Sequence, residues 1–331
     1  MTEPAPVPAR EYAVPVRGGR LAVTHWPGRG EAADVPGEAP VPDEAPGPGD
    51  VPVLALHGIT ANGHAFTALA EALSPRLPLH APDLRGRAHS AALPGPYGLA
   101  AHVEDVLGLL RHLGRERAVL VGHSMGAFVA ALAAARHPER FPHVVLVDGG
   151  LGFPPPDGTD IDALLDAVIG PAMRRLRMTF PDRAAYRAFF RSHPAFTAHW
   201  GPHVQAYVDR DLVGDPPALR SSCVLDAVRA DGADVLRGPE VLAAVHRPGV
   251  RATLLWAERG LLDEPQGLYD ETRLAAAGPD PGRVAAHRLP DTNHYSTVLT
   301  PAAVAAVADA VHRAHVEVCQ GYTGGRTSVD R

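Results

Sequence analysis

The stretch VLVGHSMGAF, residues 119–128, restricts the fold more than any other part of the chain. A β-branched apolar run enters it and an alanine-rich run leaves it. A serine stands between two glycines at the join. Strand, sharp turn and helix within so few residues demand a strained backbone at Ser124, and small residues at Gly122 and Gly126, where helix and strand pass closely. Ser124 Oγ then projects from the carboxyl edge of a sheet, above the first turn of the next helix. The backbone N–H of Met125, at that helix start, is placed to stabilise an oxyanion. His123 is expected to turn away from Ser124 and join a pocket wall.

The flanking sequence supplies the sheet. EYAVPVRGGRLAVTHWPG alternates apolar and polar residues around Gly18-Gly19 and reads as a hairpin, Tyr12–Val16 with Leu21–Trp26. VPVLALHG (51–58) is an apolar strand of the buried parallel kind. A helical segment follows at Ala65–Leu73, then a weaker strand, LPLHAPDL. In residues 97–114, Val103, Val106, Leu107, Leu110 and Leu113 share a helix face. RAVLVGHS and HVVLVDGG (143–150) are further strands, with a helix between them that ends at His137-Pro138. The alternation predicts an α/β chain, a parallel sheet with helices on both faces.

The rhythm stops at Leu151. Residues 151–245 hold helical segments and no convincing strand, and read as an inserted helical cap. The rhythm returns with VRATLLWAE (250–258), a helix near Gln266–Ala277, RVAAHRLP (283–290), and a last helix from Pro301 to about Val318. Thr300 is its expected N-cap, with proline in the first turn. The expected organisation is therefore a flexible start (1–10), a core in two parts (11–150 and 246–319) around the cap, and a flexible tail (320–331). Acidic, Pro/Gly-rich residues 27–50 read as a disordered insertion within the first part.

Composition excludes several classes. The formal charge is −6 with acids and bases mixed, and no basic stripe suits nucleic acid. Cys223 and Cys319 are the only cysteines and form no CxxC pattern, so neither a disulfide framework nor a zinc site is expected. No cofactor or metal is implied. No run approaches the ~18 apolar residues of a membrane span, and no apolar signal segment opens the chain. A cytoplasmic protein without a membrane partner is the expectation.

A nucleophilic serine needs a base. PDTNHYS supplies His294, just past the last strand and before the final helix, to take the Ser124 proton and return it to a leaving group. In LALHGITAN, His57-Gly58 ends the first parallel strand. The N–H of Ile59 is the second expected oxyanion donor, with His57 holding the loop.

HGIT (57–60), DLRGRAHS (83–90), GHSMG (122–126), LVDGG (146–150) and His294 together resemble the α/β-hydrolase superfamily. The likeness lies with the branch that carries a helical cap after the sixth strand, and spans about Glu11–Val318. It implies an α/β-hydrolase fold, with a mostly parallel eight-stranded sheet flanked by helices, and serine hydrolase chemistry through a Ser–His–acid triad. In that family the acid usually follows the seventh strand. Here the turn reads WAERGLLDEP, and Gly260 stands at that place. Three carboxylates remain open: Asp148 at the sixth strand's end, Asp263 three residues past the usual position, and Glu258 at the strand end. Asp148 also suits local backbone capping, and Asp263 an N-cap. Asp83 and Arg85 are expected to organise turns.

The expected function is cofactor-independent hydrolysis of an ester, thioester or lactone with a small apolar acyl group. His57, His123, Phe180, Phe189 and Trp200 are candidate pocket residues. Those cap aromatics, with Met173, Met178, Tyr186 and Phe190, alternatively build the cap's own core. Rival readings are an acyltransferase or carbon–carbon bond hydrolase, and a non-catalytic or slow-turnover small-molecule binding protein. Gly260 lends the last its weight.

Overall fold

A computed structural model describes residues 9–28, 51–74, 76–153 and 158–324. The insertion expected at 27–50 and the flexible start expected at 1–10 lie almost wholly outside them. The hairpin forms as β1 (Arg10–Val16) and β2 (Gly19–Trp26). There follow β3 (Val53–Leu56), α1 (Thr67–Leu73), β4 (Leu79–Pro82), α2 (Leu99–His112), β5 (Val119–His123), α3 (Met125–Arg136) and β6 (Val144–Val147). The order in the eight-stranded sheet is β1-β2-β4-β3-β5-β6, then two later strands, β9 (Ala252–Ala257) and β10 (Val284–Leu289). The pairs β1–β2 and β2–β4 are antiparallel and the rest are parallel.

Alternation along each central strand feeds two cores. Leu54, Leu56, Leu120, Val144 and Leu146 point to the side of α2 and α3. Val53, Ala55, Val119, Val121, Val145 and Val147 point to the side of α1 and the last helix. Both faces are buried, which is why these strands are apolar throughout.

Between β6 and β9 lie α4 (Ile161–Arg175), α5 (Arg183–Arg191), α6 (Pro194–Thr197), α7 (Pro202–Arg210), α8 (Leu225–Arg237) and α9 (Pro239–Ala244). The expectation of no strand there needs correction: β7 (Leu212–Val213) and β8 (Arg220–Ser221) form a small antiparallel ribbon. Strands of two residues are too short to show a period of two in sequence. The chain ends with α10 (Glu271–Ala277) and α11 (Pro301–Gly324). α11 runs past the expected stop near Val318, and Val311, Ala314 and Val318 lie on its buried face. At its start the Thr300 hydroxyl bonds back to the Ser296 carbonyl, 3.1 Å away.

The sheet order reverses between β3 and β5, since β4 lies beyond one and β6 beyond the other. The carboxyl ends of these two strands bound the crevice where such sheets bind ligands. Ser124 follows one and Ile59 the other. Their approach depends on missing side chains. A methyl on Gly126 would overlap the Leu56 carbonyl, and one on Gly122 would overlap the Gly126 carbonyl. Gly126→Ala should therefore cost about 3 kcal/mol, the upper end for overpacking. Gly278→Ala, at an open site with φ 59°, should cost only the ~1 kcal/mol of backbone strain. Urea unfolding of the two variants measures the difference.

Candidate active site

Ser124 is held at φ 56° and ψ −123°, a conformation few non-glycine residues adopt. Its own N–H bonds the Val147 carbonyl at 2.9 Å, which ties the turn to the end of β6. The first turn of α3 begins at Met125, where backbone N–H groups have no partner within the helix.

His294 lies in the loop after β10 and is 3% exposed. Its Nδ1 is 2.6 Å from Asp148 Oδ2. A carboxylate only accepts, so Nδ1 carries the proton and Nε2 keeps the free lone pair. The His294 carbonyl accepts from Thr297 Oγ1 at 2.8 Å and from His123 Nε2 at 2.9 Å. Burial, then the neighbouring His294, pushes His123 down to about 3. His123 is thus a neutral donor that anchors the loop, and it also lines the smaller cavity described below.

The three carboxylates have separate surroundings. Asp148 is fully buried, and its Oδ1 accepts from the Ala257 N–H at 2.9 Å, across to the end of β9. Asp263 pairs with Arg259 Nε at 2.7 Å and Asn293 Nδ2 at 3.0 Å. Glu258 accepts the Asp291 N–H at 2.9 Å. Among the described residues Asp148 is the one bonded to His294. At Gly260 the space for a side chain is taken by Glu264, whose backbone carbonyl also accepts the Gly260 N–H at 2.9 Å.

His57 stands behind the Ile59 loop, and its inclusion among candidate pocket residues needs correction. Its Nδ1–H donates to the Gly58 carbonyl at 2.8 Å, and its Nε2 accepts the Leu84 N–H at 2.8 Å. Burial pushes it down to about 3, so this neutral tautomer is the only one that satisfies both bonds. The Gly58 carbonyl takes a second bond from the Ala61 N–H at 3.1 Å. Two donors on one carbonyl polarise the Gly58–Ile59 peptide and strengthen its N–H.

Two cavities open on Ile59, Ser124, Ile169, Leu261 and His294. The smaller holds about 40 Å³ and continues along Thr60, Ala61, Tyr207 and Tyr295. The larger holds about 230 Å³ and runs between Phe128, Leu151, Leu165, Val168, Val235 and Tyr269, with Arg273 in its wall. Phe180, Phe189 and Trp200 do not line either. Phe180 meets Tyr186 and Phe189 edge to face at 4.8 and 5.8 Å, and Trp200 carries the Arg191 guanidinium at 4.9 Å. Phe180 is buried in the core beneath the inserted helices, and Phe189 and Trp200 pack at its margin. The larger cavity's walls went unread in the sequence. Their signal was the stripe Leu165, Ile169 and Met173 on α4, which forms a separate core cluster. The helix breaks at Ile169, two residues before Pro171, and Ile169 lines both cavities.

Comparison with known proteins places this architecture. The profile of the alpha/beta hydrolase fold family matches residues 51–296, and the chain belongs to that family. Mycobacterium tuberculosis lipase LipV is 36% identical over 117 residues, 35% of this chain and 43% of that protein. The 2-(acetamidomethylene)succinate hydrolase of Mesorhizobium japonicum is 40% identical over 96 residues, 29% of this chain and 34% of that one. The matches thus span less than half of these relatives' length. Among solved structures, an E-2-(acetamidomethylene)succinate hydrolase superposes with TM-score 0.70 at 22% identity, over 92% of this chain and 100% of that one. A thioesterase domain from the curacin biosynthetic pathway gives 0.67 at 20%, over 92% and 99%. Among the described residues no helix is long and apolar enough to cross a membrane.

His57 and His123 each add to the pH dependence of stability. His57 and His123 both fall from 6.5 to about 3 on folding, so the unfolded chain binds more protons between those limits. Their contribution is complete above pH 6.5 and lost as pH falls below it. The expected slope is about 1.4 kcal/mol per pH unit for each histidine. Urea midpoints at pH 7, 6 and 5 should fall accordingly, and His57→Gln should reduce the slope by about one proton's worth.

Proposed function

We propose that this chain hydrolyses an ester, thioester or lactone of a short-to-medium apolar acyl group through an acyl-enzyme on Ser124. The carrying observation is the buried His294 Nδ1–Asp148 bond of 2.6 Å beside a serine at φ 56°, at the mouth of both cavities. Ser124 Oγ attacks the acyl carbon as His294 Nε2 takes its proton. The N–H groups of Ile59 and Met125 hold the oxyanion, while Asp148 stabilises the imidazolium. The tetrahedral species collapses, and His294 returns the proton to the leaving group. Water, deprotonated by the same nitrogen, then releases the acid and restores Ser124.

The cavity bounds the acyl group. The larger cavity, about 230 Å³, suits an acyl chain of medium length better than a long one. The relatives' names, a lipase and a 2-(acetamidomethylene)succinate hydrolase, accord with a hydrolytic role. The binding-protein reading drew on the glycine at 260, and a carboxylate bonded to His294 weighs against it. Arg273 favours a second reading, an acyl chain that ends in a carboxylate, since it brings an arginine to a wall that is mostly apolar away from Ser124, Asp148 and His294.

Steady-state hydrolysis of p-nitrophenyl acetate, butyrate, hexanoate, octanoate and laurate tests the proposal. kcat/KM should rise to hexanoate or octanoate and fall at laurate. Ser124→Ala, His294→Ala and Asp148→Asn should each lose about 10³–10⁶ in kcat, and Asp263→Asn little. Wild type as inert as Ser124→Ala, with both folded, would sink the reading. On the second reading, Arg273→Gln should lower kcat/KM for the adipate half-ester and spare hexanoate.

A further inference from the structure

The loop Gly58–Asn62 is held from outside the strand that carries it. Arg87 Nε donates to the Ile59 carbonyl at 2.9 Å. Arg175 Nη2, from α4, donates to the Thr60 carbonyl at 3.1 Å. Asn62 Nδ2 donates to the Tyr207 carbonyl of α7 at 2.9 Å. Three helices of the inserted segment therefore reach one five-residue loop, two directly and α8 through Arg87.

Arg87 is the most connected of these groups. It is fully buried, and its Nη1 pairs with Asp231 Oδ2 on α8 and donates to the Arg85 carbonyl at 2.8 Å. Its Nη2 lies 3.9 Å from Met125 Sδ. One guanidinium thus touches both residues whose backbone N–H groups are the proposed oxyanion donors. Asp231 is also fully buried. It accepts His102 Nε2 at 2.9 Å and the Gly98 N–H at 2.8 Å, so α8 is locked to the start of α2. Linear sequence does not reveal a role for Arg87, because its partner Asp231 lies 144 residues away.

We propose that Arg87 is a positioning residue for the oxyanion hole, held in place by Asp231, so that docking of the inserted helices on the core sets the geometry of the Ile59 and Met125 donors. The inference rests on the hydrolase reading above. A guanidinium fork suits the task, since it reaches the Ile59 carbonyl with Nε and the carboxylate with Nη1 at once. A lysine keeps the charge and meets only one of the two. The Ile59 carbonyl fixes the peptide next to the donor peptide, and a small rotation there moves the N–H off the oxyanion.

Arg85, two residues away, is the internal control. It is 1% exposed and pairs with Asp105 through Nε at 3.0 Å and Nη2 at 2.6 Å, but its remaining bonds go to the Pro94 and Arg17 carbonyls, away from the hole. Arg85→Lys breaks an equally buried fork without touching Ile59.

The experiment compares wild type, Ser124→Ala, Arg87→Lys, Asp231→Asn and Arg85→Lys. It measures kcat and KM for p-nitrophenyl butyrate, the inhibition constant of a six-carbon alkyl trifluoromethyl ketone, and Tm. The ketone forms a tetrahedral adduct and reports on the oxyanion site. Removing a whole donor costs about 10²–10³ in kcat, so a misplaced one should cost about 10–100-fold. Arg87→Lys should lose that factor in kcat and the same factor in ketone affinity, with KM within about threefold. Arg85→Lys should lose Tm alone. Should Arg87→Lys fail to fold, Asp231→Asn, which keeps the volume, carries the same test with a smaller loss. If wild type turns over but the Arg87 or Asp231 variant matches Arg85→Lys in kcat and ketone affinity, this inference fails alone. If wild type is as inert as Ser124→Ala, it fails together with the hydrolase reading.

Discussion

The approach of α3 to the end of β3 governs the rest of the site. Gly126 lies against the Leu56 carbonyl, and that contact leaves the turn between β5 and α3 no room to relax. Ser124 is forced into a positive φ as a consequence. The backbone at 124 also bonds the end of β6, so the serine, the Ile59 loop and Asp148 share one rigid edge of the sheet. Side chains on adjacent strand ends hold their separation better than side chains on free loops. The two cavities meet at that edge, where the strain is stored.

At this edge, buried ion pairs and polar bonds help dock the inserted helices beside their apolar packing. Arg210 of α7 bonds both oxygens of Asp83 at 3.1 and 3.0 Å. Asp231 of α8 pairs with Arg87, and Arg175 of α4 reaches the Thr60 carbonyl. Burial alone would raise the Asp231 carboxyl, yet His102 and Arg87 hold it well below the usual carboxylate range. Buried pairs of this kind add little net stability over apolar packing, but breaking one leaves an expensive lone charge. Their effect is to permit one docked arrangement and penalise displaced ones. The helices over the crevice are accordingly set by polar bonds to the two loops, 57–62 and 83–90, that frame it.

Features written in consecutive residues were legible in the sequence. The apolar strands, the break at Leu151 and the glycine-flanked serine each lie within a short window, where period and turn chemistry can be read. His294 was legible through its place between the last strand and the last helix. Features that depend on pairing between distant strands were not. The choice among Asp148, Asp263 and Glu258 turns on which strand end faces His294, and nothing in LVDGG or WAERGLLDEP encodes that. The cap aromatics were misplaced into the pocket because a run of Phe and Tyr looks the same whether it lines a cavity or fills a small core. The wall came instead from plainer residues, Leu165 and Ile169, on a helix whose other face is exposed.

The position of the proposed acid follows from the sheet. β6 and β9 are parallel neighbours, with Val147 opposite Leu255, so Asp148 and the start of the β9 turn lie side by side. Neighbouring strands are about 4.8 Å apart, within the reach of one aspartate side chain. Asp148 adopts φ 44°, and its Oδ1 spans to the Ala257 N–H while Oδ2 meets His294. A carboxylate on β6 therefore reaches the histidine loop from the strand next to β9. Position 260 is glycine, and Glu264 folds into the room it leaves. The His294 amide lies 3.4 Å from the Gly260 carbonyl, so this turn still supports the histidine loop through backbone alone. The β9 turn thus holds the histidine loop by backbone, while the carboxylate bonded to His294 comes from the adjacent strand. Reading the acid's place therefore requires the strand order of the sheet, which the linear spacing of residues does not contain.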